Sequence, residues 1–256
     1  MYNLYEVLSK EKVCDGYYTM TFRAPELARQ ASPGQFIMLK AWEGCDPYLM
    51  RPISLNRISP EEGTIGVLFK TAGRGTQLLS ERAVGETVRI LGPQGRGFPE
   101  TDAYSRIAVI ARGVGAAPMF PLAELCRRRG VSVYAYLSAK NMEQLFDRDA
   151  LEGLGVQVRF SAGDAGLITD AFAEDCKTLR FDAAFCCGSM RLAREAKRIC
   201  GEYGFPGYIS MEERMGCGVG ACKGCACREQ NPDGKEVKYA YVCKDGPVFP
   251  IERIVE

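Results

Sequence analysis

RIAVIARGVGAAPMFPLAELCRRRGVSVYAYL, Arg106–Leu137, decides the fold. Arg106–Ala111 is a continuous apolar run, the pattern of a strand covered on both faces. A glycine-rich turn follows, then an amphipathic helix over Pro118–Arg129, then a second apolar strand over Val131–Leu137. Further strands are expected at Val156–Phe160 and Ala183–Cys187. Met190–Tyr203 reads as a helix with Leu192, Ala196 and Ile199 on one face. Strands alternating with helices predict a doubly wound parallel α/β sheet.

Two turns of this sheet are candidate nucleotide contacts. Gly113-Val114-Gly115-Ala116-Ala117-Pro118 leaves the first strand and opens a helix, where a dinucleotide-binding turn belongs. It is not G-x-G-x-x-G, because Pro118 stands at the third glycine, although proline suits a first helical turn. Cys187-Gly188-Ser189-Met190 holds the equivalent position after AAFCC. Each turn alone reads equally well as plain strand–helix punctuation.

Upstream, the pattern is β. Runs at Tyr2–Leu8, Tyr17–Phe22, Gln35–Lys40, Ile53–Arg57, Thr64–Phe69 and Thr87–Leu91 are punctuated by Pro and Gly, which predicts an antiparallel barrel. Arg51-Pro52-Ile53-Ser54 offers a guanidinium suited to a pyrophosphate and a hydroxyl suited to a flavin edge. Gly73-Arg74-Gly75-Thr76 follows Leu68-Phe69-Lys70 and opens a short helix at Thr76–Glu81. Its N–H groups could meet a phosphate.

Downstream, the chain reads C-GVGA-C-KG-C-A-C from Cys217 to Cys227, with Cys243 beyond. C-x4-C-x2-C followed by a distant cysteine is the plant-type [2Fe–2S] pattern. Interleaved glycines permit the positive φ angles and close approach that a cluster loop needs. Cys227 leaves the third ligand open, since it could replace Cys225. A structural zinc site with four thiolates is the alternative. About fifty residues cannot build much of a core alone, so a metal centre would act as a staple.

Composition narrows the chemistry. Twelve cysteines in 256 residues, five of them in one segment, suit a metal site in a reducing compartment better than a disulfide scaffold. The other seven read as small buried hydrophobes. There is no histidine, which excludes a Rieske centre, His-ligated haem and any histidine base. A net charge of +1 gives no electrostatic case for nucleic acid or an anionic membrane. With no spanning apolar run and no secretory signal, a soluble cytoplasmic protein is expected.

Together these motifs resemble the ferredoxin–NADP reductase superfamily, a flavin-binding barrel followed by a pyridine-nucleotide domain. RPIS, GRGT, GVGAAP, CGSM and MEERMGCGVGACKGCAC…YVCKDGPVF are most similar to electron-transfer subunits of class 1B dihydroorotate dehydrogenase. The resemblance covers essentially the whole chain.

It implies an FAD-binding barrel over residues 1–100, a nucleotide-binding α/β domain over 101–206 and a small [2Fe–2S] domain over 207–256. FAD would bind at Arg51, Pro52, Ile53, Ser54, Leu68, Phe69, Lys70, Gly75 and Thr76. NAD(H) would bind at Gly113, Val114, Gly115, Cys187 and Gly188. The cluster would be held by Cys217, Cys222, Cys225 and Cys243. The implied partner is an FMN-containing catalytic subunit, in a heterotetramer of two of each. The implied activity is flavin and iron–sulfur electron transfer in pyrimidine biosynthesis.

Two departures stand out. Ile53 replaces the aromatic usual in the broad superfamily, and Arg112 stands where a glycine is more usual. The same layout also fits the small subunit of an NADH-dependent ferredoxin:NADP oxidoreductase or of a sulfide dehydrogenase. From a different class, a zinc-stapled nucleotide-binding module without redox chemistry would share the motifs.

Overall fold

The computed structural model describes residues 2–231 and 236–255. The outer bounds expected for the first and third units, residues 1 and 256, and residues 232–235 of the third lie outside the described residues.

Six strands form a closed antiparallel barrel in the order β1-β2-β5-β4-β3-β6. They are β1 (Asn3–Cys14), β2 (Tyr17–Arg23), β3 (Phe36–Lys40), β4 (Arg51–Ser59), β5 (Thr64–Lys70) and β6 (Thr87–Gln94), with helices α1 (Pro25–Gln30) and α2 (Arg74–Glu81) in the connections. Alternate side chains fill the barrel, among them Val7, Met20, Phe22, Ile37, Leu39, Leu55, Ile65, Val67 and Ile90, all at most 1% exposed. Closure leaves no open edge. The strand carrying RPIS extends to Ser59, beyond the expected Arg57, and its ladder to β5 shifts register between Leu55 and Arg57.

The second unit comprises β7 (Arg106–Arg112), α3 (Met119–Arg128), β8 (Ser132–Ala139), α4 (Arg148–Gly153), β9 (Gln157–Ala162), α5 (Ile168–Cys176), β10 (Ala183–Cys187), α6 (Met190–Tyr203) and β11 (Gly207–Ser210). The expected doubly wound sheet is present, in the order β14-β11-β10-β7-β8-β9. Ile107, Val109 and Ala111 of β7 pack with α3 and α4, while Ala108 and Ile110 pack with α5 and α6. Both faces are covered, so RIAVIA and AAFCC carry no polar alternation.

The C-terminal stretch contains β12 (Ala226–Gln230), β13 (Val237–Tyr241), β14 (Val248–Pro250) and β15 (Ile254–Val255). β12 is central in a three-stranded sheet with β13 and β15. β11 pairs parallel to β10, and β14 adds antiparallel to β11, so this stretch is hydrogen-bonded into the α/β sheet. Its buried residues Cys225, Cys227, Ala240, Val242 and Cys243 share one core with α5 and α6. The segment borrows a core that its own length cannot supply.

Of the seven cysteines read as small buried hydrophobes, Cys126, Cys176, Cys186, Cys187 and Cys200 are buried. Cys14 is half-buried and Cys45 is exposed on the loop after β3. Among the described residues, no helix is long and apolar enough to cross a membrane.

Candidate functional site

The barrel, the α/β sheet and the C-terminal stretch meet at one cleft of about 280 Å³. From the barrel come Phe36, Pro52, Ile53, Ser54, Leu68, Phe69, Lys70 and Thr76. Val114 and Ala117 enter from the glycine turn after β7, and Met211, Glu212, Glu213 and Met215 from the segment after β11. Most residues expected to hold the flavin are thus gathered by β4, β5 and the start of α2.

Arg51 and Gly75 sit beside the cleft. Arg51 donates from its guanidinium to the Leu49 carbonyl at 2.5 Å and lies over the Trp42 ring at 5.5 Å. A Cβ built on Gly75 would fall 2.6 Å from Arg51 Nε, so only glycine lets the guanidinium cross the first turn of α2. Thr76 Oγ1 accepts from the N–H groups of Ala72 and Gly73 and donates to the Gly73 carbonyl. That fixes the turn in a form with a guanidinium and free helix N–H groups close together, a pyrophosphate-binding arrangement.

A second, open cleft of about 590 Å³ adjoins the first and shares Lys70, Val114 and Glu212 with it. Gly113, Val114, Gly115 and Gly188 line it, together with Arg112, Ser189, Lys140 and Asp15. It lies outside the carboxyl ends of β7 and β10, where the strand order reverses, the usual ligand position in such sheets. A Cβ on Gly115 would fall 2.6 Å from the Cys187 carbonyl oxygen, so the two turns are packed backbone to backbone. Cys187 itself is buried and supports the turn from beneath. Burial raises its thiol well out of the reactive range.

Sequence reasoning assigned no role to Glu212. It lies on the rim of both clefts with its side chain exposed as a whole, while the protein around the carboxyl desolvates it and raises its pKa. The signal was present in MEER ahead of the cysteines, but no local rule aims a carboxylate at a cleft built from three segments. Asn56 and Asp147, described below, were missed for the same reason.

The cysteine segment forms a loop over β3. Cys225 Sγ lies 3.2 Å from Cys243 Sγ, and the Cys243 N–H donates to Cys225 Sγ at 3.4 Å. Cys217 Sγ accepts from the N–H groups of Val219 and Cys222, both at 3.4 Å, and is joined by the Cys222 thiol. Gly220 N–H donates to Cys243 Sγ at 3.1 Å. Left-handed backbone at Gly218, Gly220 and Lys223 turns these N–H groups inward. Burial opposes ionisation of Cys217, but the N–H groups of Cys222, Val219 and Ala221 and the Cys222 thiol outweigh it and bring the pKa to about 6.

Among the described residues, no three Cys, Asp or Glu side chains converge on one point, as a mononuclear zinc site requires. The thiols fall into two pairs, Cys217 with Cys222 and Cys225 with Cys243. That division suits a binuclear centre in which each iron takes two thiolates. Cys227 lies one step along β12, opposite Ala240 and in the apolar core, while Cys225 makes the contact with Cys243.

Residues 5–98 match the oxidoreductase FAD-binding domain, and residues 212–255 match the iron–sulfur cluster binding domain of dihydroorotate dehydrogenase B. The dihydroorotate dehydrogenase B (NAD(+)) electron transfer subunit of Bacillus caldolyticus is 35% identical, over 97% of this chain and 96% of that protein. The chain belongs to this family. The family's subunit from Desulforamulus reducens is 33% identical over 98% of this chain and 97% of its own.

Among solved structures, an NADH-dependent reduced ferredoxin–NADP oxidoreductase superposes with a TM-score of 0.85 at 25% identity, covering 99% of this chain and 90% of that one. A ferredoxin–NADP+ reductase from Neisseria gonorrhoeae shares the fold at 19% identity and a TM-score of 0.64, over 83% of this chain and 94% of its own. Membership of the dihydroorotate dehydrogenase B electron transfer subunits brings an FAD-binding domain and an iron–sulfur cluster binding domain to the two regions that carry the cleft and the paired thiols. The residues fit both groups. The bare backbone at Gly75 lets the Arg51 guanidinium lie over the helix start, and each of the two thiol pairs accepts backbone N–H groups.

Proposed function

We propose that this chain is the electron-transfer subunit of an NAD-dependent dihydroorotate dehydrogenase in pyrimidine biosynthesis. It passes electrons between an FMN-containing catalytic partner, its own [2Fe–2S] cluster and FAD, and NAD+. The observation that carries the reading is the convergence of all three units on one cleft, with the paired cysteines a few residues from its wall at Met215.

On this reading the units over 1–100, 101–206 and 207–256 divide the work, the third being grafted onto the sheet of the second. Arg51, Pro52, Ile53, Ser54, Leu68, Phe69, Lys70, Gly75 and Thr76 hold FAD. Cys217, Cys222, Cys225 and Cys243 ligate the cluster. Gly113, Val114 and Gly115 receive the nucleotide, with Cys187 and Gly188 closing the turn behind them. Bound FAD would exchange electron pairs with the nucleotide, and the cluster would pass electrons singly.

The chain's own contribution is binding, orientation and exclusion of water. Phe36, Met211 and Met215 wall the flavin cleft with apolar groups. Lys70, set over the Tyr17 ring at 5.6 Å, places a positive charge where the two clefts join. No histidine is present, and transfer between bound cofactors needs none. The expected assembly is a cytoplasmic heterotetramer of two copies of each subunit, without nucleic acid or membrane contact.

The test is co-purification with a candidate FMN-containing subunit and assay of dihydroorotate-dependent NAD+ reduction. A complex that ignores dihydroorotate but accepts ferredoxin or sulfide would replace this reading with the second one, which the superposition on the ferredoxin–NADP oxidoreductase favours.

A further inference from the structure

The barrel and the nucleotide unit are tied together by a polar cluster that touches neither cleft through its own side chains. Its centre is Asn56, 2% exposed. In the β4–β5 ladder Leu55 faces Val67 and Arg57 faces Gly66, so Asn56 is the extra residue of a β-bulge. A bulge re-aims the side chain it carries. The Asn56 amide leaves the barrel and donates to the Ala117 carbonyl at 3.1 Å and to Asp147 Oδ2 at 2.7 Å. Arg57 donates to Asp147 Oδ1 at 2.5 Å and lies 3.4 Å over the Phe120 ring of α3.

The neighbouring backbone is shaped to this contact. Asp147 adopts φ +60, a left-handed conformation uncommon outside glycine. A Cβ on Gly66 would fall 2.9 Å from Arg57 Cβ, so the glycine opposite gives the arginine its place.

The position of the cluster gives it a consequence. Two residues before Asn56, Ser54 lines the flavin cleft; Ala117, whose carbonyl Asn56 holds, lines it from the other side. Val114, three residues before Ala117, lines both the flavin cleft and the nucleotide cleft. One buried amide therefore spans the strand that carries the flavin residues and the turn that carries the nucleotide residues. A single hydrogen-bonded side chain with such short connections on both sides leaves little slack between them.

We infer that Asn56, Asp147 and Arg57 form a positioning latch that sets the spacing between nicotinamide and flavin. The latch governs the hydride step rather than the affinity for either cofactor. With both cofactors bound, NADH would give up one hydride, two electrons with one proton, to the flavin, which would be reduced as NAD+ leaves. In dihydroorotate oxidation the same spacing serves the reverse transfer. Small displacements of reacting groups cost disproportionate rate, about a hundredfold for 1 Å.

This inference rests on the FAD and NAD(H) assignment above, and the experiment separates the two. Wild type, Asn56→Ala and Asp147→Asn are purified with bound cofactors and partner. FAD content and the cluster's visible and EPR spectra report integrity. NADH affinity, the long-wavelength nicotinamide–flavin charge-transfer band and the single-turnover rate of flavin reduction at saturating NADH report the latch. Asp147→Asn keeps the volume and tolerates the left-handed backbone while removing the charge facing Arg57.

Expected is a rate at saturating NADH at least about tenfold lower in Asn56→Ala, with a weakened charge-transfer band and unchanged FAD content, cluster spectra and NADH affinity. Asp147→Asn should fall between the two. A lower melting temperature with an unchanged rate and band in both variants would make the cluster purely structural and overturn the latch. If Asn56→Ala fails to hold FAD, Asp147→Asn alone decides by the same two readouts. A wild-type flavin that NADH does not reduce would instead overturn the functional assignment.

Discussion

Gly218 of the cysteine loop rests directly on Met38 of β3: a Cβ at Gly218 would fall 2.5 Å from Met38 Cγ. Met38 pairs in register with Pro52, which lines the cleft proposed for the flavin. The cysteine loop is thereby seated one strand away from the residues proposed to hold FAD, and the absence of a side chain at Gly218 is what permits it. Gly218 also adopts φ +72. Gly218→Ala should destabilise the seated loop by about 1–3 kcal/mol through backbone strain and overpacking. The expected result is loss of iron and acid-labile sulfide per chain with FAD content retained, measured on the same preparation.

Cys225 and Cys227 should separate cleanly. Cys225→Ser removes the thiol that meets Cys243 at 3.2 Å and should abolish cluster absorption. Cys227→Ser places a hydroxyl in the apolar core against Ala240, costing about 1–3 kcal/mol of stability while leaving the cluster signal in place. Loss of the cluster in Cys227→Ser with retention in Cys225→Ser would reverse the ligand assignment.

Gly75→Ala should act on flavin affinity alone. The added methyl meets Arg51 Nε at 2.6 Å and drives the guanidinium off its seat over Trp42. FAD dissociation followed by fluorescence should weaken about tenfold, equivalent to about 1.4 kcal/mol. Iron content should not change.

Glu212 predicts a pH effect of definite sign. Partial desolvation at the cleft rim raises its carboxyl pKa above the ordinary value of 4.5, so the folded chain holds that proton more tightly than the unfolded chain. Stability from this group is complete below the unfolded pKa and declines as pH rises through the folded one. Glu212→Gln should remove that decline. Thermal melts of the flavin-free chain should show variant and wild type converging near pH 4 and the variant the more stable near pH 7.

Much of the architecture was legible in local sequence because it follows from periodicity and punctuation. Ala183–Cys187 and Met190–Tyr203 are bounded as the pattern predicts, since an uninterrupted apolar strand and a one-faced helix need no distant information. The C-terminal stretch was less legible. Val248–Pro250 is too short to show a period, and it becomes a strand only by pairing with β11. Glu212, Asn56 and Asp147 carry no motif, and their importance comes from what the fold places beside them.

Periodicity and spacing along the chain suffice for the barrel, the doubly wound sheet and the cysteine pattern, because each is written in residues close together. Three features needed the folded chain: that Cys225 meets Cys243 while Cys227 of β12 pairs with Ala240 of β13, that Glu212 stands where two clefts join, and that Asn56 spans barrel and sheet. The physical reason is the same for all three. The group each side chain meets lies on another element that only the closed fold brings near, and at Asn56 a single bulged residue also re-aims the side chain.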